Sequence, residues 1–291
     1  MKLKDVLEKT AGFFREKGSP SPRLDAEILL AFGLNIERIR LYIDFDRPLT
    51  EDELAGLREL VRRRAQGEPV AYITGHKDFF GAVFEVTPDV LIPRPETEQI
   101  VEEGLEWLKK NAIAEARVVD LGCGSGCVGL SVLKNDPTAR LLAVDISAGA
   151  LSVARRNAER LGVQDRAVFL EADASKKESA AAALSEAGFE KIDLLLANPP
   201  YIDPKDPRVE DGVKRFEPEA ALFAGDQGLA ALKTWSRIWS PFLASPGLCL
   251  MEMGLDQGPS MKDIYSGLFT EAAVLKDLAG HDRVIKGVRH G

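Results

Sequence analysis

The 291-residue chain is poor in the residues that staple a secreted protein or hold a metal. Its three cysteines, Cys123, Cys127 and Cys249, do not make a disulfide framework. Cys123 and Cys127 flank a glycine-rich turn, where small apolar side chains suit packing. Its three histidines, His76, His281 and His290, are scattered without metal-ligand spacing, so no metal is expected. No apolar run approaches the length that crosses a bilayer. The opening segment, MKLKDVLEKT, carries charges where a signal peptide would carry its apolar core, so a cytoplasmic protein is expected. Basic charge is also in short supply. The net charge is −8, residues 1–75 are balanced, and the excess acid lies beyond them. A basic face supplies most of the affinity of a nucleic-acid binder, so this balance argues against that class. The densest basic run, Arg58, Arg62, Arg63 and Arg64, has helical spacing and reads as a solvated helix face.

What remains is the composition of a soluble globular chain, 45% apolar and 29% charged. Residues 1 to about 70 read as helices. Leu3, Val6, Leu7 and Phe14 keep helical spacing, and Ala26, Leu29 and Leu30 belong to a second helix ending near Gly33. Thr50-Glu51-Asp52-Glu53 is a capping box that opens a helix striped by Leu54, Leu57 and Val61. Gly67 and Pro69 are expected to close this small domain. The period then changes to that of strands, with Gly81 as the turn of a hairpin. Pro93 and Pro95 in VLIPRPETE predict a stiff extended connector. From Glu96 onward strands alternate with helices, which predicts a parallel sheet with right-handed crossovers. The alanine-rich stretch from Ser175 to Gly188 is expected as a helix or a surface excursion.

The strand ARVVDLG leads into Gly122-Cys123-Gly124-Ser125-Gly126, which opens a helix. This is G-x-G-x-G. The dinucleotide fingerprint would need glycine at Cys127, so S-adenosylmethionine is favoured over a nicotinamide cofactor. The next strand ends in Asp145, placed to accept from two ribose hydroxyls. The following one is expected to end in Asp173, facing an adenine amino group. A fourth, KIDLLLAN, stops at Asn198-Pro199-Pro200-Tyr201. In such sheets ligands bind at the carboxyl ends of the strands, so all four positions converge on one crevice.

The strand stops there because Pro199 and Pro200 have no N–H for the ladder. The same turn suits a planar nitrogen nucleophile whose lone pair is delocalised. Asn198 can accept one N–H through its side-chain oxygen, and Pro199 can accept a second through its carbonyl. Pro200 stiffens the turn, and Tyr201 offers a face to pack the planar group. Two aimed acceptors bind better as the nitrogen gains positive charge, which stabilises the transition state. Adenine N6, guanine N2 and glutamine N5 all meet this description, and the tetrapeptide does not separate them.

Longer stretches do. EPVAYITGHKDFFGAVFEVTPDVLIPRPETE, DLGCGSGCVGL, NPPYI, FEPEAALFAGDQGL, MEMGLDQG and GHDRVIKG closely resemble the HemK-like peptide chain release factor glutamine N5-methyltransferases over nearly the whole chain. IPRPETE followed by NPPY is the specific part. The resemblance implies an α/β fold: a Rossmann-like class I S-adenosylmethionine-dependent methyltransferase sheet over 95–291, a β-hairpin linker over 73–94, and a helical substrate-docking domain over 1–72. It implies methylation of the glutamine in the Gly-Gly-Gln motif of release factors. It implies cofactor contacts from Gly122, Cys123, Gly124, Ser125, Gly126, Asp145, Asp173 and Asn198. The glutamine amide would meet Asn198, Pro199, Pro200 and Tyr201, with Pro95, Glu96 and Thr97 over the active site. The chain departs from many relatives after Asp173, where Ala174 replaces a bulky residue that packs on adenine. A ribosomal-protein glutamine methyltransferase, a nucleic-acid base methyltransferase and an inactive cofactor-binding scaffold are the rival readings.

Overall fold

The computed structural model describes residues 1–290. It has two compact units: residues 1–76 with 210–216, and residues 77–209 with the chain from Glu217 onward. No helix among the described residues is long and apolar enough to cross a membrane.

The first unit packs helices Leu3–Glu16, Pro22–Gly33 and Glu51–Ala65 around Leu3, Leu7, Phe14, Leu29, Leu30 and Leu57. The capping box forms as the sequence predicts. Thr50 Oγ1 accepts from the Glu53 amide at 3.2 Å, and the Glu53 carboxylate accepts from the Thr50 amide at 2.9 Å. Pro69 does not end the helical region. One more helical segment, Val70–Thr74, follows it and stops at Gly75, whose φ is 76°. The basic run also differs from expectation at its end. Arg62 pairs with Glu59 and Arg63 with Glu68, but Arg64 turns inward and donates to buried Asp25 at 2.7 Å.

The second unit carries the sheet. A hairpin of β1 (His76–Phe79) and β2 (Ala82–Glu85) turns at Phe80 and Gly81, both with positive φ, as a tight twisted hairpin requires. The extended connector ends at Arg94. Pro95 starts a short 3-10 turn, Pro95–Thr97, that runs into helix Glu98–Lys110. Proline suits that entry because the first helical N–H has no partner within the helix.

The sheet strands are β3 (Arg117–Leu121), β4 (Arg140–Asp145), β5 (Ala167–Glu171), β6 (Ile192–Ala197), β7 (Leu243–Glu252), β8 (Glu271–Lys276) and β9 (Asp282–Arg289). Their spatial order is β5-β4-β3-β6-β7-β9-β8. The first five are parallel, as the alternating pattern predicts. β9 is antiparallel to both neighbours, which the all-parallel expectation missed. The cause is local. The turn from β8 to β9 passes through Gly280 at φ 83°, and a connection that short joins only antiparallel neighbours.

Every residue of β6 is buried. Its side chains alternate between two cores. Leu194 and Leu196 pack toward helices Glu98–Lys110, Cys127–Asn135 and Ala148–Leu161. Ile192, Leu195 and Ala197 pack toward helices Lys177–Ala187, Ala230–Trp239 and Gly258–Ser266. The alanine-rich stretch is the first of that second set. Burial on both faces is why these strands read as continuous apolar runs. Strand order reverses between β3 and β6, and the crevice opens there.

Candidate functional site

The loop after β3 needs glycine for two reasons. Gly122, Gly124 and Gly126 have φ of 63°, 54° and 78°, a region that side chains disfavour. A Cβ on Gly122 would also lie 2.9 Å from the ring of Trp235. The loop is tied to the next strand. Asp145, the last residue of β4, accepts from the Gly124 amide through Oδ2 and from the Ser147 amide through Oδ1, both at 2.9 Å. Ser147 caps helix Ala148–Leu161 by accepting from the Ala150 amide at 3.2 Å. Burial raises the Asp145 pKa, against the opposing pull of those two amides.

Asp120, inside β3, is fully enclosed and accepts from the Gly129 amide at 2.9 Å. Burial pushes its pKa up to about 7, with the nearby Asp145 charge adding to the effect. The folded protein therefore holds this proton where the unfolded chain, near 3.8, has released it. Stability from this group falls as pH rises from about 4 to about 7. Asp120→Asn keeps an acceptor for Gly129 and removes the titration. The stability of that variant relative to the parent should climb by roughly 4 kcal/mol across the window. Urea unfolding at both ends of it measures the difference, and parallel stability curves would refute the assignment.

A cavity of about 530 Å³ opens at the carboxyl ends of these strands. Gly122, Cys123, Gly124, Ser125, Asp145, Asp173, Asn198, Pro200 and Thr97 all reach its wall. Gly126 stands just behind the loop, as the residue before helix Cys127–Asn135. β5 stops at Glu171, so Asp173 belongs to the following loop rather than to the strand end. Its carboxylate accepts from the amide of Ser175 at 2.8 Å and from its hydroxyl at 2.5 Å, and these bonds lower its pKa. Pro95 and Glu96 are exposed on their 3-10 turn, and Pro199 and Tyr201 lie beside Asn198 without lining the cavity. Cys127 is held inert, its thiol pushed up to about 12 by burial.

Asn198 follows the end of β6. Its Nδ2 donates to Thr97 Oγ1 at 3.3 Å, while its Oδ1 is buried and has no hydrogen-bond partner among the described residues. Thr97 Oγ1 donates to Glu252 Oε2 at 2.6 Å, and the Tyr201 hydroxyl donates to Glu252 Oε1 at 2.8 Å. Glu252 closes β7 and is only 1% exposed. Burial raises its pKa, opposed by those two hydroxyls and by Arg283. Burial and the Glu252 charge together push the Tyr201 hydroxyl well above its ordinary value.

Four participants escaped the sequence reading. Glu252 and Asp120 are acids inside apolar strands, in GLCLMEMG and ARVVDLG, and an acid flanked by core residues was the available signal. Trp235 and Ile146 line the cavity with apolar surface. The IPRPETE segment is also tied to FEPEAAL. Glu217, from FEPEAAL, accepts from the Ile92 amide at 3.1 Å and from Arg94 Nη2 at 2.5 Å.

The T. thermophilus 16S rRNA N2 methyltransferase in complex with AdoMet and guanosine superposes with a TM-score of 0.51 and 17% identity, over 74% of this chain and 50% of that one. The hMettl16 catalytic domain in complex with an RNA hairpin superposes with a TM-score of 0.56 and 13% identity, over 80% of this chain and 83% of that one. At such identity they show the fold alone. A family model for the methyltransferase small domain matches residues 104–221, and one for the PrmC N-terminal domain matches residues 5–75. Sheet order, glycine loop and strand-end acids define a methyltransferase of the Rossmann-like class. Two curated relatives are named release factor glutamine methyltransferase. That of Geobacter sulfurreducens is 38% identical over 98% of this chain and 96% of its own length. That of Nitratidesulfovibrio vulgaris is 41% identical over 91% and 88%. The chain belongs to the release factor glutamine methyltransferase family.

Proposed function

We propose that the chain transfers a methyl group from S-adenosylmethionine to N5 of the glutamine in the Gly-Gly-Gln motif of peptide chain release factors. The observation that carries this reading is the buried, unpartnered Oδ1 of Asn198 at a cavity wall. Such an oxygen costs stability unless something donates to it, and an amide N–H does.

The cavity suits the cofactor. The loop from Gly122 to Ser125 allows close backbone approach, and the Asp145 oxygens keep lone pairs beyond those used by Gly124 and Ser147. Ile146, 63% exposed at the wall, supplies apolar surface beside Asp145 that Ala174 is too small to give. S-adenosylmethionine supplies an electrophilic sulfonium methyl when bound. The protein's own part is to hold the glutamine amide. Asn198 Oδ1 accepts one N–H. Pro199, with no N–H of its own, contributes a carbonyl for the second. Both acceptors strengthen as positive charge grows on the nitrogen. Fixing the nitrogen in a near-attack position supplies much of the remaining rate.

The helical unit, assigned to residues 1–72, would hold the release factor. It exposes Ile39, Tyr42, Ile43 and Phe45. Ile43→Asp should raise KM for a release factor and leave cofactor affinity unaltered, since an exposed substitution costs little stability. An unchanged KM would remove this surface from the docking role. The central test is peptide-mapped mass spectrometry after incubation with S-adenosylmethionine and, in parallel, release factor, ribosomal proteins and rRNA. One methyl on the Gly-Gly-Gln glutamine is expected. Methyl on a ribosomal glutamine would keep the chemistry and replace the partner. Methyl on rRNA alone would overturn the reading.

A further inference from the structure

We infer that Glu252 and Thr97 are positioning residues that determine which end of the Asn198 amide faces the cavity. This rests on Asn198 binding the substrate amide. An asparagine side chain is nearly symmetric in shape, with oxygen and NH₂ exchanged by a half turn about its last bond. Only one orientation offers an acceptor. The other would set N–H groups against the N–H groups of the incoming amide. The partner at the far end of the Asn198 side chain decides between them.

That partner is Thr97, and its hydroxyl has a single hydrogen. The hydrogen goes to Glu252 Oε2 at 2.6 Å. Toward Asn198 the hydroxyl can then offer only lone pairs, so Asn198 must present Nδ2, as it does at 3.3 Å. Oδ1 is left buried and unpartnered, on a residue that lines the cavity. The second oxygen of Glu252 takes the Tyr201 hydroxyl at 2.8 Å, so one carboxylate orients both ends of the Asn-Pro-Pro-Tyr turn.

The sheet makes this arrangement possible. Ala197 of β6 pairs in register with Met251 of β7. The next residues along the two strands, Asn198 and Glu252, therefore come side by side where the strands end. Thr97 arrives from the turn before helix Glu98–Lys110. The backbone of the turn is anchored separately, because Gln257 Nε2 donates to the Tyr201 carbonyl at 2.9 Å. Loss of the relay should therefore misorient a side chain rather than displace the turn.

The experiment compares Thr97→Val, Thr97→Ser and Glu252→Gln in the full chain by single-turnover methylation of an unmodified release factor. S-adenosylmethionine affinity and thermal stability are measured alongside. Thr97→Val is isosteric and has no hydrogen to give or lone pair to offer. It should lower kcat by about 100-fold, the scale of losing one aimed polar contact at a reacting centre. KM and cofactor affinity should stay close to the parent values. Thr97→Ser should restore most of the loss. Thr97→Val should cost almost nothing further in an Asn198→Ala background, since the oriented group is already gone. Glu252→Gln, which puts a donor opposite one of the two hydroxyls, should lose kcat as well. If it does not fold, the Thr97 pair and the double variant decide. Parental kcat in Thr97→Val, or a loss additive with Asn198→Ala, would overturn the relay while the parent's own turnover upholds the proposed function. A parent that methylates no release factor would instead defeat the function.

Discussion

Asn198→Ala should lower kcat by about 100- to 1,000-fold, the usual cost of deleting a polar group aimed at developing charge. Cofactor affinity should change little in the same variant. The two effects separate because the surfaces are separate. The side of the cavity proposed for the cofactor is built by the Gly122–Ser125 loop and Asp145, which hold one another through the Gly124 amide. Asn198 is held by a different set of bonds, through Thr97 to Glu252. Truncation also removes a buried oxygen that has no partner among the described residues, so stability should hold or rise slightly. Single-turnover kinetics and calorimetric titration measure the two quantities. Full turnover in the variant would end the case for Asn198 as the amide acceptor. Loss of cofactor affinity in step with turnover would move Asn198 to the cofactor.

The second large effect comes from Gly228→Ala. Gly228 has φ of 83°, and a Cβ built there would lie 2.1 Å from the Tyr201 carbonyl oxygen and 2.7 Å from Gln257 Nε2. Backbone strain alone costs about 1–2 kcal/mol for a side chain in this region. The clash adds to it, because the nearest atom is backbone and cannot rotate away. A total of about 3 kcal/mol corresponds to a fall in Tm of about 5 °C for a chain of this size. Turnover should fall too, since the atoms pushed aside anchor the turn that carries Asn198. Calorimetry and a turnover assay read both. An alanine variant with parental Tm and kcat would show that the segment around Gly228 moves freely and does not brace the turn.

The parts of the site legible in the sequence share one property. The glycine loop, Asp145 and Asn198 follow strands whose apolar runs are unmistakable, so strand ends located them. Asp173 was misplaced by two residues because EADAS has no proline or glycine to mark where β5 stops. The direction of β9 was not legible either. The side-chain pattern of a strand is the same whichever way it runs, and only the short turn at Gly280 distinguishes the cases. Glu252 was hidden for a different reason. Its partner Thr97 is 155 residues away in the chain, and nothing local to MEMG says that a hydroxyl will arrive. Periodicity reports what an element buries. It does not report which distant side chain will meet a buried charge.

The place of β9 has a consequence for biosynthesis. β9 is made after both of its neighbours, yet it is inserted between them. While it is still being polymerised, β7 presents an unpaired edge and β8 has no hydrogen-bonded neighbour at all. Such edges invite pairing with other nascent chains. The half of the sheet from β5 to β7 can assemble early, with the glycine loop, Asp145 and Asn198 already in register. β8 must wait. Slow translation anywhere between the end of β7 and the end of β9 would therefore lengthen the interval in which the β7 edge is open, and the same slowing before β7 would not.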